Sequence, residues 1–241
     1  ICIPQYEEAF ERLLRGAGRL DYDFCGWGQA EAEELAASLA EAQKRGVDGK
    51  VATLRLGMNR LTDDALAPLV GVLMAGALPS LESLYVDDND LTDASLDALR
   101  PLLAGRLSGQ LVRFEFGKGL TDAGVTTLVQ LLADGHLANL KNLNLLNNQI
   151  TDDGATALAG ALLEGRLEAL KELELQGNRI GDAGAGAIAR ALRDGATKGA
   201  SSSLKKLVIG ENAFGESATA ELREACKARG VAAHRGPFDL L

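Results

Sequence analysis

One frame, Leu-x-x-Leu-x-Leu-x-x-Asn-x-Leu, returns along the 241 residues of this chain, and nothing else in the sequence restricts its fold as much. Copies begin at Val51, Leu81, Leu111, Leu140, Leu170 and Leu204, so successive starts are 30, 30, 29, 30 and 34 residues apart. Within each copy the inner apolar pair, such as Leu54 and Leu56 or Leu143 and Leu145, alternates with other residues, the period of a short strand that buries one face. Asn59, Asn89, Asn148, Asn178 and Asn212 follow at the turn that leaves the strand. A buried Asn there can satisfy backbone groups of the adjacent coil. Thr-Asp pairs come next, at Thr62–Asp63, Thr92–Asp93, Thr121–Asp122 and Thr151–Asp152. Thr caps a helix N-terminus and Asp suits its positive end. An apolar helical stretch follows and ends at a glycine such as Gly165, a helix stop. A unit of strand, turn, helix and turn cannot cover its own apolar side, but stacked units can. Helices are about 10 Å wide and parallel strands about 4.8 Å apart, so the stack curves with its strands inside.

These spacings predict an α/β solenoid with at least six parallel strands, near residues 53–56, 83–86, 113–116, 142–145, 172–175 and 206–209, and helices on the convex side. Three segments are expected: 1–50 as an N-terminal helical cap with a degenerate first repeat, 51–222 as six repeats, and 223–241 as a C-terminal cap and tail. Within the first, Pro4 to Leu14 and Gln29 to Lys44 read as helices. Between them Leu20, Tyr22 and Phe24 alternate with polar residues as a strand would, and Trp27 is placed to close the open end of the core. Glu216 to Arg229 reads as a last helix, with Val231 to Leu241 an edge element or tail. Two units depart from the frame. The third has no Asn and is one residue short around Gly117, Lys118 and Gly119, which is either a tolerated distortion or a place where backbone opens for a partner. The fifth carries a Gly/Ser-rich insertion from Arg193 to Ser203, expected as a surface loop.

Composition bounds the function. Hydrophobic residues make up 46% of the chain but aromatics only 4%, so the core must be assembled from many similar aliphatic pieces, as in a repeat protein. A formal net charge of -9 argues against tracking nucleic-acid phosphates. No apolar run approaches the roughly 18 residues of a membrane span. Three cysteines without a CxxC spacing, and no glycosylation sequon, fit reduced thiols in an intracellular, cytoplasmic protein. The chain opens on Ile1 without a signal-peptide pattern, so a processed start, including loss of an organellar targeting peptide, is left open. The only histidines, His136 and His234, stand at no metal-ligand spacing with Cys and read as surface residues. No nucleophile elbow, HExxH or GxxxxGK[ST] motif is present. Asp87, Asp88 and Asp90 around Asn89 lack the spacing of a calcium loop and read as solvated strand-end residues. No cofactor, metal or catalytic site is expected.

The frame and its spacing resemble the ribonuclease-inhibitor-like leucine-rich repeats, carried also by NOD-like receptors and the Ran GTPase-activating protein, over about Val51 to Leu222. The resemblance implies a curved horseshoe and a protein-binding scaffold, working alone or as an accessory subunit of a larger assembly. Two further readings stay open: a GTPase-activating regulator of a small GTPase, and a ligand-sensing fragment of a NOD-like receptor. The residues themselves point to the concave face, where positions between the repeating leucines vary from unit to unit. The central column there is Arg55, Tyr85, Glu115, Asn144, Glu174 and Val208. Aromatic and Arg side chains make the strongest interface anchors, and Tyr85 is the only aromatic on this face. Arg55 and Arg113 are expected beside it at equivalent heights, with Asp87 at the rim. The protein-binding set is therefore Arg55, Tyr85, Asp87, Arg113, Glu115, Asn144 and Leu146.

Overall fold

The computed structural model describes residues 3–47, 49–197 and 203–234. Helix α1 (Ile3–Gly16), strand β1 (Arg19–Asp21) and helix α2 (Gln29–Lys44) lead into the repeats. These follow as β2 (Thr53–Arg55), α3 (Asp63–Met74), β3 (Ser83–Tyr85), α4 (Asp93–Ala104), β4 (Arg113–Glu115), α5 (Asp122–Ala133), β5 (Asn142–Asn144), α6 (Asp152–Leu163), β6 (Glu172–Glu174) and α7 (Asp182–Thr197). Strand β7 (Lys206–Val208), helix α8 (Glu216–Arg229) and strand β8 (Ala232–His234) complete the order. All eight strands form one parallel sheet in sequence order. The sheet is open and curved, with helices on its outer side, and each strand is only three residues long because each coil offers one inward side chain at its centre. Those residues are Leu20, Leu54, Leu84, Phe114, Leu143, Leu173, Leu207 and Ala233, in mutual register and all buried. The inserted segment begins inside α7, which runs to Thr197; residues 198–202 of it, and the tail from 235 onward, lie outside the described residues.

Two ladders of side chains tie coil to coil. In the first, Asn89 accepts from the Leu61 amide at 2.9 Å and donates to Leu56 O at 2.8 Å and Val86 O at 3.2 Å, joining two units at the turn that leaves the strand. Asn59, Asn148, Asn178 and Asn212 repeat the pattern, accepting from Trp27, Leu120, Ile150 and Ile180 amides respectively. Each rung gives partners to backbone groups that are costly to bury unpaired.

The second ladder was only half visible in the sequence. Thr92, Thr121 and Thr151 cap their own helices as expected, whereas Thr62 makes no side-chain cap bond. The Asp that follows each Thr also reaches forward: Asp122 accepts from Thr151 N at 2.8 Å, Thr151 Oγ1 at 2.6 Å and Gly154 N at 3.0 Å. Asp93 does the same for Thr121 and Gly124. A carboxylate at the next helix N-terminus is favoured both by the free amides and by the helix dipole. This explains the glycine three residues after the Thr, since a Cβ on Gly124 or Gly154 would stand 2.4 Å from the incoming Asp Oδ1. The small helical residues thus serve a hydrogen-bond ladder as well as close packing.

At the third unit the coil closes up rather than opening. In other units the residue between Asn and Leu donates its amide to the previous coil, as Gln149 does to Leu120 O at 2.8 Å and Arg179 to Ile150 O at 2.8 Å. The third unit has no such residue. Gly119 stands in the Asn position, and its backbone presses so close that a Cβ there would lie 1.8 Å from Leu91 O. Lys118 before it takes a left-handed φ of 98°.

Candidate protein-binding face

Parallel register places the central concave column by backbone alone. Asp21, Arg55, Tyr85, Glu115, Asn144, Glu174 and Val208 are successive partners across β1 to β7. Six of the seven expose part of their side chains, but Val208 is buried, so the exposed column is interrupted at β7. Leu146 is partly exposed beside the column.

The N-terminal half holds a stacked cation. The Arg55 guanidinium lies 4.2 Å from the Tyr85 ring centroid. It is aimed there by Asp23, to which Nε donates at 2.6 Å and Nη2 pairs, and by Asp21 at 3.8 Å. Asp23 itself is fixed by accepting from Gly57 N at 2.8 Å. A guanidinium held over an aromatic ring by two carboxylates is an ordered contact surface. Arg113 is not at the height of Arg55. Its register partner is Ser83, two residues before Tyr85, and it pairs with Glu115 of its own strand at 3.1 Å. The expectation of two arginines level on either side of Tyr85 is corrected accordingly: a strand advances about 3.3 Å per residue, so Arg113 sits one pleat repeat lower. Glu115 also accepts from Asn144 Nδ2 at 3.1 Å, and Asn144 Oδ1 accepts from Leu146 N at 2.9 Å, so Arg113, Glu115 and Asn144 form one hydrogen-bonded chain across β4 and β5.

Asp87 is not a solvated strand-end residue. Its Oδ1 is buried without a hydrogen-bond partner, over the hollow left by Gly57, whose Cβ would stand 2.8 Å away. Burial, and then the carboxylate of Glu115, push its pKa from an ordinary 3.8 up to about 6. The folded state therefore keeps a proton that the unfolded chain loses first, and stability falls as pH rises from about 3.8 to about 6. Asp87→Asn is expected to raise stability by about 1–2 kcal/mol at pH 7.5, because water still reaches the carboxylate and screens part of the penalty. The gain should shrink as the pH is lowered to 4.5 when urea midpoints of both proteins are compared. An equal gain at both pH values contradicts the assignment.

Two exposed apolar residues follow the strands at this end of the sheet, and for Phe24 the alternating pattern is misleading. Phe24 follows β1 but does not continue it: it takes a left-handed φ of 57° and is 75% exposed. Met58, at the equivalent place after β2, has φ 54° and is 42% exposed. The Phe24 amide donates to Gly57 O at 3.2 Å, so the two turns are stacked neighbours. Left-handed backbone is unfavourable for such residues, and the turn imposes a positive φ in successive units, at Asp88, Lys118, Asn147 and Glu211 as well. Tyr22 stacks on Trp27 at 4.3 Å, and both pack against the core at the N-terminal end.

The C-terminal half of the face is differently built. Lys206 pairs with Glu172 and, at 3.2 Å, with Glu174. Elsewhere, Ser108 Oγ lies 2.8 Å from His136 Nδ1 on the loops after α4 and α5. Among the described residues no three His, Cys, Asp or Glu are grouped so as to hold a metal ion, and no helix is long and apolar enough to cross a membrane.

A family model described as a leucine-rich repeat matches residues 77–99, 136–159 and 169–189. No curated protein matches the chain. Among solved structures, an internalin from Listeria monocytogenes aligns at 16% identity over 76% of this chain and 73% of its own, with a TM-score of 0.26.

Proposed function

Because this chain is a leucine-rich-repeat protein, a scaffold type that binds other proteins, we propose that it acts without catalysis, by holding one protein partner against the N-terminal half of its concave face. The observation that carries this reading is the Arg55–Tyr85 stack, oriented by Asp23, with Phe24 and Met58 exposed on the turns that follow β1 and β2. Interface energy concentrates in a few aromatic and Arg side chains within a ring of less critical contacts, and here both anchor types stand together beside apolar surface. The unit of 29–30 residues, one short strand and one helix each, favours the ribonuclease-inhibitor-like type of repeat. A role as an accessory subunit of a larger assembly fits a scaffold whose faces are free to differ from unit to unit.

The test is affinity capture from native extract with three forms of the chain. Tyr85→Ala is expected to weaken the captured partner by ~2 kcal/mol or more, with its unfolding midpoint measured alongside. The double substitution Glu174→Ala and Lys206→Ala should weaken it less. The reverse ranking, or a partner that contacts only the convex helices, refutes the site.

A further inference from the structure

At the start of each strand, one residue before it, the coils stack a second column that the repeat frame conceals. Backbone hydrogen bonds define it: Ala52 N to Gly18 O at 2.9 Å, Glu82 N to Ala52 O at 2.8 Å, Val112 N to Glu82 O at 2.7 Å, Lys141 N to Val112 O at 2.7 Å, Lys171 N to Lys141 O at 2.7 Å, and Lys205 N to Lys171 O at 2.8 Å. Its C-terminal half is therefore three lysines in consecutive coils, although they stand 30 and 34 residues apart in sequence. All three side chains are exposed. Ion pairs among the described residues engage Lys44, Lys118 and Lys206 but none of these three. Lys206, one residue on from Lys205, is held by Glu172 and Glu174 and does not belong to the column. Like charges directly opposite across a sheet are destabilising, so the fold itself gains nothing from this arrangement.

We propose that Lys141, Lys171 and Lys205 form a docking line for the acidic face of a partner protein's helix. Spacing supports a helix. Parallel coils are about 4.8 Å apart, while one helical turn rises about 5.4 Å and side chains at i and i+4 lie about 5–6 Å apart. Over two steps the mismatch is about 1.2 Å, well within the reach of a four-carbon stem. An extended strand, whose same-face residues recur every 6.6 Å or so, matches less well. Two other anionic surfaces are disfavoured. With a net charge of -9 the chain repels a nucleic acid at long range. Recognition of an anionic membrane usually takes a cluster of about four to eight cations, more than the column holds. The line is separate from the Tyr85 site, so either can fail alone.

The test uses the whole chain and two synthetic Ala-based helices of equal Glu content, one with Glu at i, i+4, i+7 and i+11, the other with Glu spread around the helix. Fluorescence anisotropy should show the patterned helix binding about tenfold or more tighter than its isomer, with affinity falling as salt rises. Lys171→Glu should weaken binding of the patterned helix by about tenfold or more, while its melting temperature equals or exceeds that of the parent, because the central repulsion is removed. Tyr85→Ala should leave this binding unchanged. Equal binding of the two helices, an unaffected Lys171→Glu, loss of binding in Tyr85→Ala, or tighter binding of an oligonucleotide or of phosphatidylserine vesicles would each overturn the proposal.

Discussion

Leu143→Ala is expected to lower the free energy of unfolding by ~2–5 kcal/mol. Leu143 is the central residue of β5, 1% exposed, with Phe114 and Leu173 as its register partners on either side. Its strand is hydrogen-bonded to neighbours along both edges, so the backbone cannot collapse into the space left by the missing carbons. Both the transfer energy and the cavity term then appear in full. A solenoid is held together by nearest-neighbour interfaces, and Leu143 belongs to two of them near the middle of the array. Urea unfolding followed by circular dichroism measures the effect, and a loss below about 1 kcal/mol would contradict this burial.

Gly119→Ala should be nearly as damaging, at about 3 kcal/mol, the upper end of overpacking costs. The added carbon would meet Leu91 O at 1.8 Å, Leu91 C at 2.9 Å and Thr92 Cα at 3.4 Å, all of them backbone. No rotamer change relieves a clash with main chain, so the third coil must separate from the second. Gly109→Ala is the control, because nothing stands within 4 Å of a Cβ there; it should change stability by less than about 0.5 kcal/mol. A Gly119→Ala protein with the parent's urea midpoint would show that the coils do not close as tightly as the geometry requires.

How far the sequence could be read follows from which interactions are periodic. The inward residues of six strands and the Asn rungs recur at fixed intervals, so each copy vouched for the others. The irregular third unit was visible as a missing residue, but its consequence was not. Only the neighbouring coil shows that the absent residue's amide would have met Leu91 O, and that Gly119 is there to let the backbones close. The forward reach of Asp93 and Asp122 was hidden for a similar reason. In sequence each looks like a helix-end charge, and the Thr and Gly amides it binds lie 28 to 32 residues later.

The candidate site divides in the same way. That Arg55, Tyr85, Glu115 and Asn144 share one face follows from alternation and a constant period. Their relations do not: Arg113 fell a pleat lower than expected, Val208 was buried, and Asp87 turned one oxygen, Oδ1, out of solvent over Gly57. Phe24 continued an alternating pattern on paper, yet the chain leaves the strand at Asp21 and turns it outward.

By itself, then, the sequence determined the kind of architecture and the inward residues of the six repeating strands, because hydrophobic periodicity is a local property that each unit states again. Tertiary structure alone decided which residues from different coils stand side by side, and so the Arg55–Tyr85 stack, the raised pKa of Asp87 and the lysine column. Those depend on register between coils, on where water is excluded and on charges some thirty residues apart, none of which a single unit contains.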